Sequence, residues 1–355
     1  MRVGVVPAVG NGLIHMQRQG QLARLYAHLD AYGGDCTYFS FAAMSEEAPL
    51  WKSSLGRLVA PAHAPQRPLR YALTLPILER KAFRECDVLR CTSLLGAIPA
   101  IVAKVLYDIP FVFSHGADYI QIAQIHGRSR LHIQKWRALR AVAMRLADAV
   151  IVQNSSMAVR LAGEYQGANI RCIPNWVDTD TFSRWTPPND DTRTVLYVGR
   201  LVKEKNLEAL AWACRQQKVR LLCVGEGPLK ETLLGLKAEC VGAVPWSALP
   251  NYHRIATVFA MVSHTEGHCK ALAEAMASGL PCVVSKTVTE GMVAGVNCLQ
   301  VDPTETGIAL ALEILIADHG FAQKLGAMAR MTAVQKWGKA VILSKERQLL
   351  TEIAR

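Results

Sequence analysis

The sequence predicts an α/β chain of two Rossmann-like domains, each a parallel sheet covered by helices. Two observations carry this. Apolar strand-like runs alternate with amphipathic helical runs from the N-terminus, and the alternation restarts at Thr194 after a polar, proline-stiffened stretch, Pro187-Pro188-Asn189-Asp190-Asp191. Each series also opens on a strand that runs into a glycine loop and then a helix, with Gly10-Asn11-Gly12 in the first and Gly199-Arg200 in the second. The boundary is expected near residue 188, giving domains 1–187 and 188–337 and a C-terminal helix, 338–355, that returns to the first domain. With 355 residues, 51% of them hydrophobic, the chain can bury two cores.

In the first half, residues 2–9 read as a strand and 17–32 as one amphipathic helix with Leu22, Leu25 and Leu29 inward. Residues 36–41 are a second strand. Pro49, Pro61, Pro65, Pro68 and Pro76 argue against any long helix over 45–80, and Lys52, Arg57, Arg67 and Arg70 accumulate there with no acid between Glu47 and Glu79. Residues 87–92 are a strand and 95–107 a helix. The apolar run at 110–114 ends in His115-Gly116-Ala117-Asp118, which puts a histidine at the ligand end of a strand. Residues 129–147 form a basic amphipathic helix, with Ser155 as the cap of the helix after the next strand.

In the second half, strand 194–198 leads into Gly199-Arg200-Leu201-Val202-Lys203-Glu204-Lys205-Asn206 and helix 207–216. Arg200 offers a planar fork and Lys205 a point charge to phosphate oxygens near a helix N-terminus. Strand 219–224 ends in Gly225-Glu226-Gly227-Pro228. Strand 258–263 delivers Thr265-Glu266-Gly267-His268-Cys269-Lys270, and helix 271–277 then carries Glu274, about two turns on. Gly279 and Pro281 stop that helix. Residues 304–318, 321–335 and 339–353 are the last helices.

Four phrases in this order carry a resemblance. Glu266-x7-Glu274 with Ala275-Met276-Ala277-x-Gly279-x-Pro281, the Arg200/Lys205 loop, Gly225-x-Gly227-Pro228 and Pro174-Asn175-Trp176-Val177-Asp178-x3-Phe182 resemble glycosyltransferase family 4, the retaining nucleotide-sugar transferases of GT-B fold. Trp176 replaces that family's usual glycine. The resemblance implies two Rossmann-like domains facing an interdomain cleft, the first binding acceptor and the second the nucleotide-sugar donor. It implies that Arg200 and Lys205 hold the donor diphosphate, Glu274 the ribose, and Glu266, with Gly267, His268 and Lys270 beside it, the donor sugar. Backbone near Gly225 and Val244 would meet the nucleotide, and Gly10 and Gly12 would lie near the phosphates. His115 would touch the transferred sugar and, with Asp118, the acceptor side. No metal or other cofactor is expected, because the cations take that role.

The net charge is +11, with 20 Lys and Arg against 13 Asp and Glu in residues 1–180. Arg128, Arg130, Lys135, Arg137, Arg140 and Arg145 fall in a stretch without acids between Asp118 and Asp148. This excess favours an anionic partner, such as a lipid-linked acceptor at the inner membrane surface. Nucleic acid is not expected, since no aromatic-plus-basic motif is present. No apolar run reaches the ~18 residues of a transmembrane helix, and the ten cysteines form no Cys-x-x-Cys pair. A cytoplasmic, peripheral enzyme is expected. Two other readings stay open: a non-catalytic basic protein binding membrane or nucleic acid, and another GT-B enzyme such as a nucleotide-sugar epimerase.

Overall fold

The computed structural model describes residues 1–354 apart from 19, 117–118, 121–122, 124–126, 184–192, 265 and 267. By internal contact the chain forms two units, Met1–Ile173 with Leu343–Arg355, and Pro174–Ile342. The expected boundary near residue 188 and its proline linker lie outside the described residues.

The first unit holds a seven-stranded sheet of β1 (Val3–Val6), β2 (Cys36–Phe39), β3 (Gly56–Val59), β4 (Val88–Cys91), β5 (Phe111–Ser114), β6 (Ala149–Val152) and β7 (Ile170–Cys172), in the order β3-β2-β1-β4-β5-β6-β7. The second holds β8 (Thr194–Val198), β9 (Arg220–Val224), β10 (Glu239–Gly242), β11 (Val258–Met261), β12 (Cys282–Ser285) and β13 (Leu299–Val301), in the order β10-β9-β8-β11-β12-β13. Every ladder is parallel. Strands β1, β4, β5, β6, β11 and β12 are buried throughout and mostly apolar, with Arg90 of β4 the one charged residue among them. The order reverses between β1 and β4 and again between β8 and β11. At such switch points the loops leaving the strands part to opposite faces and open a crevice for ligand.

The helices are α1 (Leu13–Arg18), α2 (Leu22–Ala31), α3 (Met44–Glu47), α4 (Pro68–Leu78), α5 (Arg80–Arg84), α6 (Ala97–Tyr107), α7 (Arg130–Leu146) and α8 (Ser155–Glu164) in the first unit's main segment. Then follow α9 (Leu207–Gln216), α10 (Lys230–Gly235), α11 (Leu249–Ile255), α12 (Lys270–Ser278), α13 (Glu305–Ala317), α14 (His319–Trp337) and α15 (Lys339–Ile353).

Three expectations need correction. The single helix over 17–32 is two, because Gly20 takes φ +65 and ends α1. Residues 45–80 contain a strand, β3, and an eleven-residue helix, α4. Pro68 sits in the first helical turn of α4, where its missing N–H is no loss, and Pro76 falls near the end, with its carbonyl accepting from Tyr107 Oη at 3.1 Å. The cap of α8 is Asn154, not Ser155: its Oδ1 accepts from Met157 N at 2.7 Å.

Candidate functional site

In the second unit, two loops carry the expected donor residues. The loop from β8 to α9 holds Arg200 and Lys205, and the loop from β11 to α12 holds Glu266 and His268. Since β8 and β11 are adjacent, both loops leave the sheet at its switch point. A main-chain bond from His264 N to Glu204 O, 2.9 Å, ties one to the other.

Lys205 Nζ donates to Glu266 Oε2. Ser263 Oγ donates to the same oxygen at 3.3 Å. The carbonyl of Ser263 is itself held, accepting from Ser285 Oγ at 2.6 Å and Thr287 Oγ1 at 2.8 Å. The Glu266 carboxylate is thus fixed at the strand end, and its partly buried ion pair is less screened than a surface one. Arg200 is exposed, and its carbonyl accepts from the buried Tyr197 Oη at 2.9 Å, which sets the loop and leaves the guanidinium toward solvent.

Glu274 sits inside α12, only 4% exposed. A buried carboxylate must be hydrogen-bonded, and Trp246 Nε1 donates to its Oε1 at 2.8 Å. The Trp246 ring stands edge-on to Phe182, with centroids 5.5 Å apart. Arg330 braces that contact by donating from Nη1 to Phe182 O at 2.9 Å, and from the same nitrogen to Ala277 O on α12. Trp246 and Arg330 were not among the expected residues. Trp246 lies two positions after Val244 but 28 residues before Glu274, and no local pattern links the two.

Gly225 lets the loops after β8 and β9 meet: a Cβ there would lie 1.9 Å from Gly199 O, at φ +147. Its N–H donates to Gly242 O at 2.8 Å, two residues before the half-buried Val244. Lys270 opens α12 and is exposed. His268 packs its ring edge-on against Trp337, centroids 4.9 Å apart, and its carbonyl accepts from Asn175 Nδ2 at 3.3 Å. Burial, with Glu266 next, pushes the Cys269 thiol up to about 12, so it is a neutral packing group. Gly267 lies outside the described residues.

In the first unit, His115 is buried at the C-terminal end of β5, its N–H donating to Ile151 O at 2.8 Å. Asp118 lies outside the described residues. Gly10 adopts φ +86. Gly12 does something the sequence did not reveal: its missing Cβ makes room for the buried Glu47, whose Oε1 would lie 2.7 Å from that atom. Glu47 accepts from Leu13 N at 2.8 Å and Ile14 N at 3.0 Å. The amides that open α1 thus hold an internal carboxylate.

The second unit therefore gathers cations, a fixed carboxylate and a buried carboxylate around one switch point. Such a set can neutralise a diphosphate and accept from sugar hydroxyls. Comparison with known proteins agrees in both halves. The family model described as Glycosyltransferase Family 4 matches residues 21–181, and that of Glycosyl transferases group 1 matches residues 178–331. A sulfoquinovosyl transferase of Arabidopsis thaliana is 27% identical over 240 residues, 62% of this chain but 46% of that protein. A GDP-mannose-dependent alpha-(1-6)-phosphatidylinositol monomannoside mannosyltransferase of Mycobacterium tuberculosis is 27% identical over 341 residues, 83% of this chain and 86% of that protein. Among solved structures, sucrose-phosphate synthase from Thermosynechococcus elongatus superposes with a TM-score of 0.78 at 20% identity, covering 99% of this chain and 98% of the other. Anabaena HepE, solved in complex with UDP, gives 0.76 at 18% identity, covering 99% and 100%. The two parallel sheets, the loops at their switch points and the two matched family regions agree: this chain belongs to the group 1/family 4 glycosyltransferases and has the GT-B fold.

Proposed function

We propose that the chain moves a hexosyl group from a nucleoside diphosphate sugar to a saccharide or lipid-linked acceptor, with retention of anomeric configuration, in the synthesis of an envelope polysaccharide or glycolipid. The observation that carries this is the Lys205–Glu266 pair at the β8/β11 switch point, with Arg200 in the same loop and Glu274 buried a few residues on. Named relatives use GDP-mannose, and fold neighbours were solved with UDP and UDP-glucose, so UDP- and GDP-sugars are the first donors to test.

In this reading the bond between the anomeric carbon and the donor phosphate oxygen breaks through an oxocarbenium-like state. Negative charge grows on the leaving diphosphate. Arg200 and Lys205 stabilise that growing charge, which lowers the barrier more than it tightens ground-state binding. Glu266 accepts from donor-sugar hydroxyls near the reacting carbon, and Glu274 from the ribose. The acceptor oxygen forms the new bond on the face the phosphate leaves, and its proton passes to the departing diphosphate. Glu266 and Glu274 are not a glycosidase pair, since Glu274 serves the nucleoside end. The reaction so written needs no metal. His115, with Asp118, serves the sugar and acceptor in the first unit. The mannosyltransferase relative acts on a phosphatidylinositol glycolipid, which favours a lipid-linked acceptor handled at the cytoplasmic membrane face. Among the described residues no helix is long and apolar enough to cross a membrane, so such contact would be peripheral.

Thermal unfolding with UDP, GDP, ADP and their sugars tests the donor. Saturation at ~100 Kd adds about 2.7 kcal/mol. One nucleotide should raise Tm, and Arg200→Ala/Lys205→Ala should abolish the rise. A protein that no nucleotide stabilises would bring back the basic-binder reading, and hydrolysis of the nucleotide-sugar unchanged in the double variant would overturn the site.

A further inference from the structure

We infer that the outer face of α4 is a docking surface for an anionic phospholipid bilayer. The inference deepens the proposed function, because it rests on the lipid-linked acceptor. An ordinary surface helix buries its leucines, and α4 does so only in part. Ala72, Leu75 and Pro76 are buried, while Leu69 is 57%, Leu73 52%, Ile77 59% and Leu78 65% exposed. Leu69, Leu73 and Ile77 repeat every four residues, so they form one stripe about 12 Å long. The C-terminal end of α6 extends the apolar area. Tyr107 Oη donates to Pro76 O at 3.1 Å, and the neighbouring Val105 and Leu106 are 71% and 49% exposed.

The charge around the stripe decides what covers it. Arg67, Arg70, Arg80, Lys81 and Arg84 are all exposed, and Glu79 is the single acid between positions 67 and 84. A bilayer with anionic headgroups offers an apolar interior for the stripe and negative charge for its rim. A second copy of this chain would oppose the five cations to themselves. The helix also starts in a telling place. Pro68 Cβ lies 4.0 Å from where a Cβ on Gly10 would stand, so α4 begins beside the loop at the ligand end of the first sheet. Docking through α4 brings that loop to the headgroup layer, where a lipid-linked saccharide presents its sugar. Helix α7 is also basic and exposes Leu131 and Val142, but these stand eleven residues apart with no continuous apolar stripe between them, and Trp136 and Leu139 pack on the core.

Flotation of the full chain with phosphatidylglycerol/phosphatidylcholine vesicles, against phosphatidylcholine alone, tests this. The wild type should float with the anionic vesicles only. Leu73→Glu/Ile77→Glu and Arg80→Glu/Lys81→Glu should each lower the bound fraction about tenfold, while Arg130→Glu/Arg137→Glu on α7 should lower it little. All the substituted positions are exposed, and the Tm rise with nucleotide, which reads the second unit, should stay the same in every variant and so controls for folding. A wild type that ignores anionic vesicles yet responds to nucleotide overturns the docking surface and leaves the transferase reading intact. Binding that follows the α7 variant alone also overturns it, as does light scattering that finds a dimer split by Leu73→Glu/Ile77→Glu.

Discussion

Glu266 and Glu274 have opposite environments although eight residues separate them. Glu266 stands on a loop, where Lys205 and Ser263 both donate to its Oε2. Glu274 is sunk into α12 and depends on Trp246 Nε1. Trp246 is therefore a positioning residue. Trp246→Phe keeps an aromatic ring beside Phe182 and removes the N–H donor together with part of the indole. A hydrogen bond to a charged group is worth about 1.5–3 kcal/mol, so the donor KM should rise at least about tenfold while kcat changes little. Steady-state kinetics check this, and a fall in kcat at constant KM would show that Trp246 acts on the reacting centre instead. The carboxylate pair is legible in the sequence through the family phrase that surrounds it, Glu266-x7-Glu274 with Gly279 and Pro281. Trp246 is not, because the contact joins a loop to a helix through the fold and leaves no mark in local periodicity.

Among the elements, glycine loops after parallel strands do two different jobs. Gly225 permits a backbone approach: its absent Cβ would sit 1.9 Å from Gly199 O. Gly225→Ala must push the β8 loop, and Arg200 with it, out of place. We expect a loss of about 3 kcal/mol or more, read as a lower unfolding midpoint, together with a weaker nucleotide response. An unchanged midpoint would mean that the two loops can part without strain. Gly12 instead admits Glu47, and the amides of Leu13 and Ile14 receive that carboxylate. Both loops look alike in the sequence, since a strand, a glycine and a helix precede the choice of occupant. What fills the helix N-terminus is decided by α3, more than thirty residues away in the chain. The helix α4 escaped the sequence reading for a related reason: proline frequency argued against it, while the proline positions, first turn and near the end, were compatible with it.

For the whole molecule, the last helix is fastened to the first unit by a buried polar network. Glu346 Oε1 accepts from Arg90 Nε and from Tyr32 Oη, the latter at 2.7 Å, and His28 Nδ1 lies 3.2 Å from Oε2. Arg90 Nη2 also donates to Ser114 Oγ at 2.8 Å, directly before His115. Burial by itself would raise the Glu346 carboxyl, but Arg90 and then His28 hold it well below its ordinary 4.5. A carboxyl lowered on folding contributes stability above its unfolded value, and that contribution is lost as pH falls below about 4.5. Glu346→Gln leaves Arg90 without its counter-charge, and we expect a loss of about 3–5 kcal/mol at pH 7. The variant should also lose less further stability on acidification than the wild type. Denaturant curves from pH 7 down through pH 4 measure both, and parallel curves displaced by less than about 1 kcal/mol would contradict the network's role.

The sequence by itself determined the fold class, most strands of the two sheets and the family phrases. The fold class and strands depend on short-range physics, since parallel strands buried on both faces are mostly apolar, and the family phrases are contiguous in the chain and so legible by resemblance. Only the tertiary structure decided that Trp246 holds Glu274, that Glu47 occupies the first glycine loop, that Glu346 meets Arg90, and that α4 turns leucines outward. The first three join positions distant in the chain, and the fourth depends on what packs against the helix. Burial sets how strongly such groups must find a partner, and no residue's burial is fixed until the sheets and helices have packed.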